Sequence, residues 1–155
     1  LSIRRQRQMC IRDSTNSLKL SPGAKELINF FKSISVKSAI ISGGLSYFAD
    51  RLHKSLGVDT FRANNVEVIN SCLTGEVLGK VIDANEKANY INELCALYQL
   101  KREQVIAIGD GANDLQMMKI AGVSVAYHAK PILQKNCDVI INYGGLDSVI
   151  DFFEE

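Results

Sequence analysis

The 155-residue chain has 18 Lys and Arg against 17 Asp and Glu, a net charge of +1, with 46% hydrophobic and 23% charged residues. These values are typical of one folded domain, and the near-neutral charge predicts neither a nucleic-acid nor a membrane-surface partner. No apolar run approaches the roughly 20 residues of a membrane-spanning helix. The four cysteines are scattered and the two histidines lie far apart, so we expect no zinc site or disulfide framework and a cytoplasmic location.

Residues 1–17 differ from the rest of the chain. The segment begins with Leu, carries four arginines before its first acid, Asp13, and has no helical or strand periodicity. A basic arm or a targeting segment is one interpretation. We favour a disordered or non-native tail, and we treat residues 18–155 as the folded core.

From Ser21 onward, helical and strand-like patterns alternate. Ser21 is the expected N-cap of the first helix, and Pro22 its first helical residue. In chain order, we predict a helix in 21–33, a strand in 36–42, a helix in 46–56 closed by Gly57, a strand and β-hairpin in 58–79, a helix in 84–98, a strand in 104–108, a helix in 113–121, a strand in 123–127, a short helix in 130–136, a strand in 138–142 and a closing helix in 146–153.

Four of the predicted strands contain short, nearly continuous apolar runs: "SAIIS", "VIAIG", "VSVAY" and "DVIIN". A strand buried on both faces has this pattern. Helices that alternate with such strands predict right-handed βαβ units on a parallel sheet. The expected fold is therefore a Rossmann-like, doubly wound α/β sheet with a small hairpin excursion at 64–78.

Three polar groups stand at or near the expected carboxyl ends of these strands, where ligands bind in open α/β sheets. Ser42, Gly43 and Gly44 follow "AII", and the segment 109–114, "GDGAND", follows "VIAI". Lys87 lies in the first turns of the helix after the hairpin. A hydroxyl, an ammonium and a carboxylate pair around strand ends suit a phosphoryl group.

Asp110 and Asp114 are the candidate metal ligands. Two carboxylates about 6 Å apart, at an effective dielectric near 20, would repel by about 2 to 3 kcal/mol, and a bound cation would remove that cost. Hard oxygen ligands without nearby Cys or His select Mg²⁺ over Zn²⁺. The alternative is that Asp114 caps the following helix and Asp110 forms a turn.

These residues also allow interpretations other than a phosphoryl site. A dinucleotide fingerprint fails, because Asp114 replaces the third glycine and Asp110 would repel a pyrophosphate. Ser42 and its glycines could form an ordinary turn, and Lys87 could be a solvated surface lysine.

These residues resemble the haloacid dehalogenase superfamily of Mg²⁺-dependent phosphatases. The match rests on "SGG" after a strand, a later lysine and "GDGANDLQMMKIAG". It is tightest to the superfamily's phosphoserine phosphatases, through "SPGAKELINFFKS", "IISGGLSYFADRL", "ANNVEVINSCLTGEV" and "AYHAKP", and it spans about residues 18 to 153. The resemblance implies hydrolysis of O-phospho-L-serine to L-serine, the last step of serine biosynthesis, through a phosphoaspartate.

The resemblance also implies a role for each matching residue. Ser42 and the Gly43 N–H would bind the phosphoryl oxygens, and Lys87 would neutralise charge on the nucleophile and the transferred group. Asp110 would bind Mg²⁺, with Asp114 completing the acidic cluster, and Asn113 would contact the substrate.

The sequence departs from the family at its nucleophile. The family's attacking aspartate lies in a D-x-D-x-[ST] motif on the central first strand, followed by a cap, and this chain contains no such motif. "RDST" has Ile11 where the first aspartate would stand. We therefore expect an inactive fragment whose missing strand leaves two unpaired edges. Another Mg²⁺-dependent small-molecule phosphatase of the superfamily, or a non-catalytic phosphate- or Mg²⁺-binding module, remain the alternatives.

Overall fold

A computed structural model describes residues 19–70 and 72–153, so the predicted tail at 1–17 lies outside the described residues. The α-helices are α1 (Ala24–Ser33), α2 (Ser46–Leu56), α3 (Ala84–Tyr98), α4 (Leu115–Ile120) and α5 (Pro131–Gln134). The strands are β1 (Ala39–Leu45), β2 (Thr60–Ile69), β3 (Cys72–Leu78), β4 (Ile106–Gly109), β5 (Val123–Tyr127) and β6 (Val139–Ile141). Three 3₁₀ helices in the described residues span Arg102–Gln104, Ala112–Asp114 and Leu146–Phe152.

The strands of the described residues form two three-stranded sheets, ordered β1-β2-β3 and β4-β5-β6. β1 and β2 run parallel, and so do β4, β5 and β6. β2 continues past its pairing with β1 into an antiparallel hairpin with β3. The prediction of an α/β fold with parallel strands and a hairpin excursion is confirmed.

An apolar slot of about 460 Å³ lies between the two sheets. Residues 39–41 of β1 and 106–108 of β4 line two of its sides. Side chains of α1, such as Leu27, and of α3, such as Ile91, also line it. Apolar walls beside two parallel strand edges are the surroundings of a strand that is buried on both faces. The slot therefore has room and apolar walls for a further strand between β1 and β4, and the missing central strand stays a prediction.

The sheet β4-β5-β6 has an apolar cluster on each face. One contains Ile91 of α3, Met117 and Met118 of α4, Leu133 of α5, and Ala107, Ala126 and Ala129. The other contains Leu27 and Phe31 of α1 with Val125, Ile141 and Val149. Val125 and Ala126 are neighbours on β5, and both are 0% exposed. Since successive strand residues point to opposite faces, this confirms that β5 is buried on both sides.

The first and last helices differ from the predictions. α1 begins at Ala24 and its N-cap is Gly23, with φ of 75°, so the prediction that Ser21 caps it was wrong. A Cβ at residue 23 would overlap Asp147, so the packing of the C-terminal segment against this turn requires glycine. The segment 146–153, predicted as an α-helix, is a 3₁₀ helix at Leu146–Phe152. With three residues per turn, Leu146 and the buried Val149 share one face.

None of the helices within the described ranges is long and apolar enough to cross a membrane.

Candidate active site

The segment 42–44 forms a bulge at the carboxyl end of β1. Ile41 pairs opposite Arg62 and Leu45 opposite Asn64, so β1 advances four residues while β2 advances two. A bulge bends its strand and turns residues out of the regular ladder. The "SGG" segment is thus an irregularity within β1 rather than the ordinary turn of the alternative interpretation, at the edge where ligands bind in parallel α/β folds.

Asn64 of β2 joins this bulge to the segment that precedes α3. Its amide nitrogen donates to the carbonyl oxygen of Gly43 at 2.7 Å, and its amide oxygen accepts from the backbone N–H of Ile82 at 2.7 Å. Asn64 is only 7% exposed. Within the bulge, the Gly44 N–H donates to the Ser42 hydroxyl oxygen at 3.0 Å.

The start of α3 fixes the position of Lys87. Asp83 is the N-cap, and its side chain accepts from the Glu86 N–H at 2.9 Å, which satisfies a helix-end donor. The Lys87 N–H donates to the Asp83 carbonyl oxygen at 3.0 Å. Lys87 is buried, so the alternative of a solvated surface lysine is wrong.

Lys87 and Asp114 form a buried ion pair. The Lys87 Nζ lies 2.6 Å from Asp114 Oδ1, and the two side chains are 5% and 6% exposed. The other oxygen of Asp114 accepts from the backbone N–H groups of Asp110 and Gly111, each at 3.2 Å. A Cβ at residue 109 would lie 2.6 Å from that oxygen, so only glycine leaves room for the carboxylate there.

The ammonium of Lys87 changes the charge balance expected around Asp110 and Asp114. The repulsion between Asp110 and Asp114 was expected to need a metal ion, but the ammonium of Lys87 already supplies a positive charge beside Asp114. The alternative that the Asp114 side chain caps the following helix is wrong: Asp114 occupies the N-cap position of α4, but its side chain makes no capping hydrogen bond there, and Oδ2 accepts instead from the N–H groups of Asp110 and Gly111. The carboxylate of Asp114 thus has three partners, the ammonium of Lys87 at Oδ1 and two backbone N–H groups at Oδ2.

Asp110 fits one position in a Mg²⁺ site. Asp110 follows β4 directly and is exposed to solvent. Its carbonyl oxygen accepts from the Lys130 N–H at 3.1 Å. A carboxylate oxygen is a ligand that Mg²⁺ prefers. Across the described part of the chain there is no cluster of three or more His, Cys, Asp or Glu residues that could hold a metal. Sharing of a metal between Asp110 and Asp114 stays a prediction.

Hydrogen bonds connect the carboxyl ends of β1 and β4 through α3. The path runs from Gly43 through Asn64 to Ile82, next to the cap of α3, and from Lys87 to Asp114 and the turn after β4. The described side-chain contacts do not join Ser42 or the exposed Asn113 to the ion pair.

Sequence reasoning missed two residues of this path. Asp83, an Asp before a helical pattern with Glu three residues later, could have been recognised as a cap. Nothing in the sequence singles out Asn64.

The groups at the carboxyl ends of β1 and β4 and in the first turn of α3 are a hydroxyl, glycine backbone, an ammonium and an exposed carboxylate. Fixed donors and charges of this kind stabilise a transferring phosphoryl group better than water does, because they need no reorganisation.

A model of the haloacid dehalogenase-like hydrolase family matches residues 2–119. Curated phosphoserine phosphatases from Albidiferax ferrireducens and Idiomarina loihiensis are each 40% identical, over 141 and 133 residues. These matches cover 88% and 86% of this chain, and the chain spans 60% of each relative's length.

Solved structures agree with these relatives. A probable phosphoserine phosphatase from Vibrio cholerae, in unliganded form, is 39% identical with a TM-score of 0.84, covering 87% of this chain and 42% of that one. A phosphoserine phosphatase in apo form is 30% identical with a TM-score of 0.89, covering 97% and 79%. The chain belongs to the haloacid dehalogenase-like hydrolase family.

Proposed function

We propose that this chain carries the phosphate-binding and charge-stabilising part of a phosphomonoesterase that hydrolyses O-phospho-L-serine to L-serine and phosphate. The names of the similar proteins support the substrate. Among the similar structures is a substrate-bound phosphoserine phosphatase complex, 30% identical with a TM-score of 0.89. Another is an analogue of a phospho-aspartyl intermediate of phosphoserine phosphatase, 31% identical with a TM-score of 0.86, which supports the phosphoaspartate route.

The buried pair of Lys87 and Asp114 is the observation that carries this proposal. An ammonium in a largely desolvated place attracts negative charge more strongly than one in water, because the local dielectric is lower. Asp114 fixes its direction at 2.6 Å. Lys87 would therefore offer a preorganised positive charge to the transferring phosphoryl group, while Ser42 and the Gly43 N–H bind its oxygens and Asn113 contacts the substrate.

Asp110 is the proposed Mg²⁺ ligand, and Asp114 would complete the acidic cluster that the two residues form. Mg²⁺ dependence is general for phosphatases of this family. A bound Mg²⁺ would withdraw charge from the phosphoryl oxygens. The contact between the Lys130 N–H and the Asp110 carbonyl oxygen would hold the ligand's backbone in place.

The nucleophile is the part of the site that these 155 residues do not supply, since they contain no D-x-D-x-[ST] motif. We propose that it lies on a strand that fills the apolar slot and pairs with β1 and β4. Ser42 and Asp110 follow the stretches of β1 and β4 that line the slot, so a strand parallel to both would carry its terminal aspartate to the same edge of the sheet. We also propose that the protein is cytoplasmic. Its partner would be the small-molecule substrate, with no nucleic acid and no membrane.

The direct test incubates the purified 155-residue chain with O-phospho-L-serine and Mg²⁺ and measures released phosphate. We expect no turnover, because the attacking carboxylate is missing. The Asp110→Asn chain, prepared in parallel, is the control for contaminating phosphatases. Turnover by the wild-type chain that Asp110→Asn abolishes would contradict the proposal that the nucleophile lies outside this sequence.

A further inference from the structure

We propose that Asn64 is a positioning residue, which holds the phosphate-binding bulge at 42–44 in a fixed place relative to Lys87. This inference rests on the proposed function, because it gives the bulge the role of binding a phosphoryl group. Asn64 itself is buried and bonds to backbone groups, so we assign it no contact with substrate.

The bulge creates a structural problem that Asn64 solves. Where β1 advances four residues against two of β2, the regular backbone ladder is interrupted. The carbonyl of Gly43 lies in this interruption, and the side-chain amide of Asn64 donates to it at 2.7 Å. A side chain thus takes the place of a ladder hydrogen bond, and it does so at the residue next to Ser42.

The two partners of Asn64 require both halves of an amide. The Gly43 carbonyl can only accept and the Ile82 N–H can only donate, which fixes the orientation of the Asn64 amide. An aspartate has the same shape but cannot donate to Gly43 when ionised. It would place two acceptor oxygens against each other in a buried site, which is a costly arrangement.

The second partner of Asn64, Ile82, lies a few residues before Lys87 in the chain. Ile82 is itself 8% exposed and stands next to Asp83, whose carbonyl oxygen accepts from the Lys87 N–H at 3.0 Å. The helix α3 is regular from Ala84 to Tyr98, so a shift of its first turn moves Lys87 with it. Asn64 therefore couples the bulge to the ammonium through short, buried contacts.

This coupling matters because a phosphoryl group would have to meet the bulge and the ammonium at the same time. Catalytic groups lose much of their effect when they are displaced by about 1 Å. The β1 bulge and α3 are separate elements, and the contacts of Asn64 connect the bulge to Ile82, the residue before the N-cap of α3. We infer that the distance between Ser42 and Lys87 depends on this side chain.

The test compares Asn64→Asp with Asn65→Asp in the complete 155-residue chain. Asn65 is the next residue on β2 and is exposed, so it undergoes the same chemical change without entering the buried contact. Amide and ammonium NMR signals are recorded first in the free chain. We expect Asn64→Asp to shift the signals of the bulge at 42–44, of Ile82 and of the Lys87 ammonium, and Asn65→Asp to leave them in place.

Titration with inorganic phosphate then tests the functional part. We expect the apparent dissociation constant reported by the amides of 42–44 to rise about tenfold in Asn64→Asp, which corresponds to the loss of one buried hydrogen bond, and to stay unchanged in Asn65→Asp. If Asn64→Asp does not fold, as judged by circular dichroism, Asn64→Ser replaces it, since serine is smaller and uncharged.

The outcomes separate this inference from the proposed function. Shifts confined to 42–44, without a response at Lys87, would overturn the positioning role. So would a folded Asn64→Asp chain that binds phosphate as the wild type does. A wild-type chain whose bulge does not respond to phosphate would instead contradict the phosphate role of Ser42, and the free-chain spectra would still decide whether Asn64 couples the two segments.

Discussion

Lys87 and Asp114, 27 positions apart in sequence, meet with Nζ and Oδ1 2.6 Å apart and with side chains that are 5% and 6% exposed. The pair links α3 to the turn after β4, where Asp114 also accepts two backbone N–H groups. Its energetic consequence is asymmetric. Removing one partner leaves a buried charge without compensation, whereas replacing both by apolar side chains can be nearly neutral.

Lys87→Met and Asp114→Asn should each lower the free energy of unfolding by about 3 to 5 kcal/mol. The double variant Lys87→Met/Asp114→Leu should lose clearly less than the sum of the two single variants, because no unpaired charge remains. Urea denaturation followed by circular dichroism measures all three.

The exposed pair of Asp50 and Lys54 is the matched control. Its N–O distance is also 2.6 Å, but its side chains are 72% exposed at Lys54 and 39% at Asp50. Asp50→Asn and Lys54→Met should each cost less than about 1 kcal/mol. Equal losses at the two pairs would show that burial does not determine the strength of the Lys87–Asp114 contact.

Lys87 should also matter for turnover once the nucleophile is present. In a restored polypeptide, where a segment from a curated relative carrying the D-x-D-x-[ST] strand and cap precedes residue 19, Lys87→Met should lower kcat by about 10² to 10³. Lys54→Met, which removes an exposed ammonium, should leave kcat unchanged. A Lys87→Met enzyme that folds and keeps its kcat would remove Lys87 from the catalytic site.

The sequence predicts local features of this site well and long-range ones poorly. The helix α3 was predicted at 84–98 and observed at Ala84–Tyr98, because its apolar spacing is a local signal. The burial of Lys87 depends on Asp114, a residue that no local pattern connects to it. The missing central strand is a prediction from the absent D-x-D-x-[ST] motif. The contact of Asn64 with Gly43 depends on a bulge that periodicity does not reveal.

The stability of the chain should fall in acid partly through Asp138. Its Oδ2 accepts from the Ser124 hydroxyl at 2.6 Å and from the Ser124 N–H at 2.8 Å, and these bonds hold the pKa of the Asp138 carboxyl below its usual 3.8. A lowered folded-state pKa gives stability that is present above the unfolded value and lost as the pH falls through the folded one.

Asp138→Asn should therefore destabilise the chain near neutral pH and flatten the decline in stability below pH 3.8. Urea midpoints measured across that range test this. Ser124→Ala removes the hydroxyl donor and should reduce the same acid dependence. If the wild type and Asp138→Asn lose stability in parallel as the pH falls, the Ser124 contacts do not set this dependence.

The most direct test of the central claim is phosphate release from O-phospho-L-serine by the restored polypeptide, measured with Mg²⁺ beside the 155-residue chain alone. We predict turnover by the restored polypeptide, none by the chain alone, and loss of turnover in the restored Asp110→Asn variant. A restored polypeptide that folds, binds Mg²⁺ and still releases no phosphate would contradict the claim that Ser42, Lys87, Asp110 and Asp114 form the second part of a phosphoserine phosphatase site.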